Sequence, residues 1–299
     1  MEETKFIWMD GKLVPWQDAK IHILTHSLHY GSAVFEGIRF YEANNKPAVF
    51  KLEEHVKRLF KSAEAFGAKI PFSEQEISQA ILNTIKENNI TSGYIRPLVY
   101  FGYGKMGLGV KDAKVNVSIA VWPWGSYLGE KAVRVKTSSF IRIHPKSSIM
   151  EAKISGHYAN SILASEETHA QGFDEALLLD SEGKIAEGPG ENFFIVKNNK
   201  LLTPKKGTIL PGITRNSIIQ LAKDMNIEVI EKDLTLEEVY SADEAFFTGT
   251  AAEVTIIESI DNKQIGSKER PISEKLKSTF LDIVHGKNPK YKDWLTEII

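Results

Sequence analysis

Residues 122–129, Trp122-Pro123-Trp124-Gly125-Ser126-Tyr127-Leu128-Gly129, constrain the fold of this chain more than any other stretch. One proline, two glycines and three aromatics fall within eight residues, between runs that otherwise read as strands. Proline removes a ladder donor and glycine weakens a strand, so no sheet strand runs through this point. The stretch reads as a connection between two domains. The length agrees: 299 residues is about two domains at roughly 150 residues each.

The pattern differs on the two sides. Before the break, strands surround two strong helices. Leu52 to Phe66 places Val56, Leu59, Phe60 and Ala63 on one face, and Gly67 follows as a stop. Ser73-Glu74-Gln75-Glu76 is a capping box opening a second helix, with Ile77, Ala80, Ile81, Thr84 and Ile85 as its apolar stripe. Two β-rich runs follow, Tyr94–Phe101 and Val115–Trp122, joined by a glycine-rich loop. After the break come a strand at Val133–Ser138, a helix over Gly156–Ala170 and strands at Glu175–Leu179 and Phe193–Val196. A helix after Pro211-Gly212 carries Ile218, Leu221, Ala222 and Met225. Strands at Ala245–Thr248 and Glu253–Ile257 and a last helix, Ser273–Val284, complete the chain. The elements mix without the regular βαβ alternation of a doubly wound sheet, which predicts two α+β domains.

Composition excludes several classes. Lys+Arg 37 against Asp+Glu 39 leaves a net charge of −2, without the basic excess of a nucleic-acid binder. The absence of cysteine removes disulfides, thiolate metal sites and cysteine nucleophiles together. No apolar run approaches the ~18 residues of a membrane span. The start, Met1-Glu2-Glu3-Thr4-Lys5, lacks the apolar core of a signal peptide, so a cytoplasmic protein is expected.

Two motifs are decoys. Gly102-Tyr103-Gly104-Lys105-Met106-Gly107 matches G-x-G-x-x-G after a strand. A dinucleotide site also needs a helix opening on that turn and an acid about 20 residues later. Here a strand follows and positions 120–124 hold no acid, so a mobile glycine loop is expected instead. His22, His26 and His29 have spacings that suit a metal on a helix, but Lys20–Leu24 reads as strand and no fourth ligand is evident. No metal site is expected.

The remaining features lie in the second half. Pro211-Gly212-Ile213-Thr214-Arg215 opens a helix whose free N–H groups and dipole suit a phosphate. Thr248-Gly249-Thr250-Ala251 offers a second loop of backbone donors and hydroxyls. Glu187-Gly188-Pro189-Gly190-Glu191-Asn192 is a tight turn with two carboxylates, and Lys153 precedes a helix. Singly, each has an ordinary reading as a turn or a surface charge. Jointly they suit pyridoxal 5'-phosphate (PLP), which needs an amine for its aldehyde, a phosphate cup and an acid for its ring nitrogen.

With Tyr30–Arg39, His55–Leu59, Tyr94–Leu98, the Lys153 segment, Glu187–Asn192, Leu210–Arg215 and Ser241–Glu253 in this order, the chain resembles the branched-chain amino acid aminotransferases of PLP fold-type IV. The resemblance implies a smaller N-terminal α/β domain (1–124), a loop (125–131) and a larger C-terminal PLP-binding domain (132–299), with the cofactor between the domains. Lys153 would be the catalytic residue that bonds the cofactor. Glu187 would face the ring nitrogen, Tyr158 the ring hydroxyl, and Arg58 the phosphate, with Ile213, Thr214, Gly249 and Thr250 completing the cup. Tyr30, Phe35, Tyr94, Trp124 and Tyr127 would surround the substrate side chain. Tyr94, Arg96, Thr250 and Ala251 would serve the carboxylate.

The implied reaction moves the amino group of L-leucine, L-isoleucine or L-valine to 2-oxoglutarate, giving branched-chain 2-oxo acids and L-glutamate. A homodimer is the minimal unit implied, with a hexamer as the larger alternative, and Tyr30 and the Gly102–Val110 loop as the segments lent to a partner. Alternatives of the same fold are a D-amino acid aminotransferase and an aminodeoxychorismate lyase. Arg96-Pro97-Leu98 stands where the D-specific enzymes carry an Arg-x-His pair, and Tyr94-Ile95-Arg96-Pro97 with Phe35-Glu36-Gly37 favours the L-branched-chain reading. A non-catalytic PLP-binding protein is disfavoured by the presence of both Lys153 and Glu187.

Overall fold

The computed structural model describes residues 2–125, 128–129 and 131–298, and forms two compact units. The first comprises Met1–Gly125, Ala152–His157 and Asp282–Ile299; the second comprises Ser126–Glu151 and Tyr158–Leu281.

In chain order the first unit contains β1 (Phe6–Met9), β2 (Lys12–Pro15), α1 (His26–Tyr30), β3 (Ala33–Phe35), β4 (Ile38–Ala43) and β5 (Lys46–Phe50). It continues with α2 (Leu52–Ala65), α3 (Glu74–Asn88), β6 (Gly93–Phe101) and β7 (Val115–Trp122). The second unit contains β8 (Val133–Thr137), α4 (Tyr158–Ala170), β9 (Glu175–Leu177), β10 (Asn192–Lys197) and β11 (Lys200–Thr203). Then follow α5 (Ile213–Asp224), β12 (Val229–Glu231), α6 (Leu236–Tyr240), β13 (Glu244–Gly249), β14 (Glu253–Ile260) and β15 (Lys263–Gln264). The chain closes with α7 (Pro271–Val284) and β16 (Leu295–Glu297), the latter in the first unit.

The first sheet runs β16-β5-β4-β6-β7-β1-β2, with β3 also on β6. Its long central pair, β6 and β7, is antiparallel and registers Tyr94 with Trp122. The helices cover one face because their stripes match it: Val56, Leu59, Ile77, Ile81 and Ile85 join Phe40, Ile95 and Ile119 in one core. The predicted capping box is present, with Ser73 Oγ accepting from the Glu76 backbone and the Glu76 side chain accepting from Ser73 N–H. Gly67, at φ 75°, follows α2.

The second sheet runs β12-β11-β10-β13-β14-β8-β9, with β15 on β14. β10 and β13 are antiparallel and near-continuously apolar, and Phe193, Ile195, Ala245 and Phe247 line one core. The parallel pairs β14–β8 and β8–β9 make this sheet mixed. The mixture of helices and sheets without doubly wound alternation is the α+β arrangement read from the sequence.

Two local expectations fail. Residues 20–24 form no strand, and His26–Tyr30 forms a short helix instead. Its C-cap is Gly31, at φ 62°, where the chain must reverse. The division into units is also not linear in sequence: Ala152–His157 belongs with the first unit, although Lys153 was expected within 132–299. The reason lies in the backbone. Ile154 bridges Val34, the Phe35 N–H donates to the Lys153 carbonyl, and the Gly156 N–H donates to the Gly31 carbonyl.

Candidate active site

The first unit presents a cationic and aromatic group around β3, β4 and β6. Lys153 is held at its backbone from two sides, by Phe35 N–H on its carbonyl and by its own N–H donating to Ser62 Oγ at 3.0 Å. Its Nζ lies 5.2 Å from the Phe35 ring centroid, so a half-buried amine stands against an apolar face. A Cβ on Gly31 would come within 2.8 Å of the Gly156 Cα, so the end of α1 and the Lys153 segment meet at a contact that a side chain would block.

Arg58, on α2, is oriented by a carboxylate that the sequence reading did not identify. Glu36 accepts from Arg58 Nε at 2.6 Å and Nη2 at 2.8 Å, and from His55 Nδ1 at 2.8 Å. The bidentate fork fixes the guanidinium plane. Burial alone would raise the Glu36 pKa, but the Arg58 charge and hydrogen bonds, with those of His55, outweigh it and hold the group below the usual carboxylate range. Burial lowers the His55 pKa despite the neighbouring carboxylate. No local period links positions 36 and 58, which explains why the pair is invisible in sequence.

Arg96 stands in an aromatic surround. Its guanidinium carbon lies 4.7 Å from the Phe35 ring centroid, 5.4 Å from Tyr94 and 6.0 Å from Trp122, and its buried Nε has no hydrogen-bond partner among the described residues. Tyr94 in turn contacts Trp122 at 5.2 Å and Trp124 at 4.4 Å. Arg39 Nη2 donates to the Trp124 carbonyl at 2.9 Å and anchors that residue. Gly37 is required here: a Cβ would lie 1.9 Å from the Tyr94 hydroxyl oxygen.

Tyr30 is exposed at the end of α1, and its hydroxyl accepts from Gly107 N–H at 3.4 Å. His26 is buried and its Nε2 donates to the Gly107 carbonyl at 2.7 Å. The histidines therefore separate: His26 ties down the glycine loop, whereas His22 and His29 are exposed. That loop, between Gly102 and Lys114, leads directly into β7 without a helix.

The second unit assembles a different set. Glu187 and Glu191, expected on a tight turn whose ordinary reading is solvated, are both buried. Glu187 accepts from Arg142 Nε at 2.7 Å, from Asn192 Nδ2 at 3.0 Å and from Leu210 N–H at 3.1 Å. Gly212 caps α5, where a Cβ would stand 1.9 Å from the Asn192 amide oxygen. Ile213 and Thr214 follow in the first turn, where helical carbonyls do not reach their N–H groups. β13 ends at Gly249, with Thr250 and Ala251 half-buried beyond it, and the buried Thr248 hydroxyl lacks a hydrogen-bond partner among the described residues. A Cβ on Gly249 would lie 3.3 Å from the Gly190 carbonyl oxygen. Tyr158 opens α4 and is half-buried. Tyr127 lies outside the described residues.

These donor sets fit PLP. The first unit holds an amine and an oriented guanidinium; the second holds a buried acceptor carboxylate, a helix start and an orphaned buried hydroxyl suited to an anion. Sequence reasoning placed Glu36 and His55 within segments that carry the resemblance but gave them no role, and it missed Arg142. Only packing identifies their partners.

Comparison with known proteins agrees with this chemistry. The family described as "Amino-transferase class IV" matches residues 33–260. A branched-chain-amino-acid aminotransferase of Pseudomonas aeruginosa is 48% identical, over 97% of this chain and 96% of that protein. Two solved structures are also similar. The branched-chain aminotransferase of Thermoproteus uzoniensis with norvaline is 42% identical, with a TM-score of 0.96 over 99% of this chain and 100% of that one. The branched-chain amino acid aminotransferase of Escherichia coli is 40% identical, with a TM-score of 0.97 over 99% of this chain and 100% of that one. A further solved branched-chain amino acid aminotransferase, complexed with N-(5'-phosphopyridoxyl)-L-glutamate, is 43% identical, with a TM-score of 0.97 over 100% of both chains. On a family match over more than half its length, and relatives this similar from end to end, the chain belongs to the class IV aminotransferases, in the family of branched-chain amino acid aminotransferases.

Proposed function

We propose that this chain is a PLP-dependent transaminase that moves the amino group of L-leucine, L-isoleucine or L-valine to 2-oxoglutarate. The observation that carries this reading is the surround of Arg96. An amino-group donor with a branched apolar side chain and an acceptor with a second carboxylate must use one pocket. Phe35, Tyr94 and Trp122 supply apolar walls, and the Arg96 guanidinium among them supplies the charge for a carboxylate. The similarity to an enzyme solved with a phosphopyridoxyl-glutamate adduct supports both the cofactor and glutamate as the partner substrate.

Bound PLP supplies an aldehyde carbon that amines can bond and a ring that accepts the electrons released at the substrate Cα. Lys153 Nζ would be the amine that holds that carbon, and when free it would be the group placed to take up and give back the proton at the substrate Cα. Phe35 covers one side of this amine and limits water there. Arg58, the first turn of α5 at Ile213 and Thr214, and Gly249-Thr250 hold the phosphate, while Tyr158 meets the ring hydroxyl. Glu187 would be the acceptor for the ring nitrogen. Tyr30 and Trp124 border the side chain, and Thr250 and Ala251 assist with the carboxylate.

The functional unit in this reading is at least a homodimer. Ile21, Ile23, Leu24, Leu28, Tyr103 and Leu108 are exposed in the first unit, with Leu108 86% accessible. Such apolar exposure is a poor surface in water and suits coverage by a second copy. Among the described residues no helix is long and apolar enough to cross a membrane. A cytoplasmic location is part of the same reading.

The test is a half-reaction panel followed by cofactor absorbance. L-leucine, L-isoleucine, L-valine and L-glutamate are expected to convert the bound cofactor to its amine form, and D-amino acids are not. Conversion by D-alanine or D-glutamate in place of the L-series would overturn the substrate reading.

A further inference from the structure

We propose that Arg142 is a positioning residue that keeps Glu187 an ionised acceptor and thereby keeps the cofactor ring nitrogen protonated. The inference rests on the reading of Glu187 given above and adds to it a residue that holds its charge.

The backbone brings the two side chains together. Residues 177–179 extend β9, and their polar groups alternate between two neighbours. The Leu177 and Leu179 carbonyls accept from Ser138 N–H and Arg142 N–H, whereas Leu178 N–H donates to Glu187 and its carbonyl accepts from Ala186 N–H. Arg142 and Glu187, 45 positions apart, are thus fixed on opposite edges of one extended segment.

Both side chains are buried, and Arg142 Nε donates to Glu187 at 2.7 Å. Among the described residues the buried Arg142 Nη1 has no hydrogen-bond partner. A buried guanidinium that is incompletely satisfied is costly, and an apolar residue would fill the same space at less expense in stability. The gain must lie elsewhere. The other hydrogen bonds described above for Glu187, from Asn192 and Leu210, are also donated to it, so its surroundings favour the carboxylate over the acid. A ring nitrogen and a carboxylate share one proton in two ways: on nitrogen with both groups charged, or on oxygen with both neutral. Arg142 stabilises the first arrangement by its charge beside the oxygen. Only the first gives a ring that withdraws electrons strongly from the substrate Cα.

The experiment uses holoenzyme loaded with nitrogen-15-labelled PLP, read by NMR, since the ring-nitrogen shift separates pyridinium from pyridine irrespective of turnover. The parent enzyme is expected to show pyridinium. Arg142→Met should move the signal toward pyridine and lower kcat about tenfold to a hundredfold with little change in KM for leucine, the scale on which outer partners tune a bound group. Arg142→Lys, which retains the charge, should restore the pyridinium signal. If Arg142→Met does not fold, Arg142→Gln, which keeps a donor but no charge, should show the same shift. A wild-type signal in a folded, loaded Arg142→Met or Arg142→Gln protein overturns the inference. Glu187→Gln separates the two levels: a nitrogen that stays protonated in that variant overturns the reading of Glu187 itself, and the role of Arg142 with it.

Discussion

Gly37→Ala is a sharp test of the substrate pocket because the structure sets its magnitude. The added Cβ would stand 1.9 Å from the Tyr94 hydroxyl oxygen and 2.9 Å from the ring carbon that bears it. Ordinary contact is near 3.5–4 Å, so the ring must withdraw by about 1.5 Å. Tyr94 has little freedom to do so. It is buried, packed against Trp122 and Trp124, and part of the surround of the Arg96 guanidinium. Overpacking of this kind costs about 1–3 kcal/mol. Substrate must bind against the displaced ring, so a cost of that size at the pocket, at about 1.4 kcal/mol per factor of ten, corresponds to a loss in kcat/KM for L-leucine of roughly tenfold to a hundredfold. The assay is steady-state transamination of L-leucine with 2-oxoglutarate across a double-mutant cycle with Tyr94→Phe. Removing the hydroxyl deletes the 1.9 Å contact but leaves the 2.9 Å one, so the double variant should recover part of the loss. Strict additivity of the two substitutions, or wild-type kinetics in Gly37→Ala, would refute the argument that this contact shapes the pocket.

Lys153→Ala should abolish transamination, and borohydride reduction of the parent holoenzyme should label the peptide that contains Lys153; a label elsewhere reassigns the residue. Glu36→Gln should lower stability at neutral pH by about 3–5 kcal/mol, because it removes the charge of a buried carboxylate that accepts from both Arg58 and His55. The Glu36 pKa is lowered on folding, so its contribution is complete above the unfolded value near 4.5 and disappears as pH falls through the folded one. Urea midpoints should therefore converge between parent and variant on acidification, and a constant gap would contradict the assignment. Mixing Lys153→Ala protein with protein deleted for residues 102–110 should restore activity if subunits share pockets, since one composite site then has an intact lysine and an intact loop. No recovery in verified heterodimers would place the loop in its own subunit's site.

Local chemistry is what the sequence by itself determined. The capping box at Ser73 and Glu76, the stripe on α2, the Gly212 entry to α5 and the apolar runs of β10 and β13 all depend on neighbours a few residues away. Periodicity and caps encode such features directly. Misreadings occurred where local signals were weak or ambiguous. Residues 20–24 alternate like a strand but have no partner strand, and the short helix His26–Tyr30 is held by the bond from His26 N–H to the Gly102 carbonyl.

What only the tertiary structure decided is which charges meet. Glu36 with Arg58, Arg142 with Glu187, and the Arg96 guanidinium with Phe35 and Trp122 are pairs separated by 22, 45 and as much as 61 positions. No period connects them, because sheet register and strand edges bring them together. Lys153 shows the same principle: it is held by β3 and by Ser62, far from it in sequence. Burial then changes what such groups are. A glutamate that would be an ordinary solvated acid on an open turn is, in the fold, buried and hydrogen-bonded to a guanidinium 45 positions away.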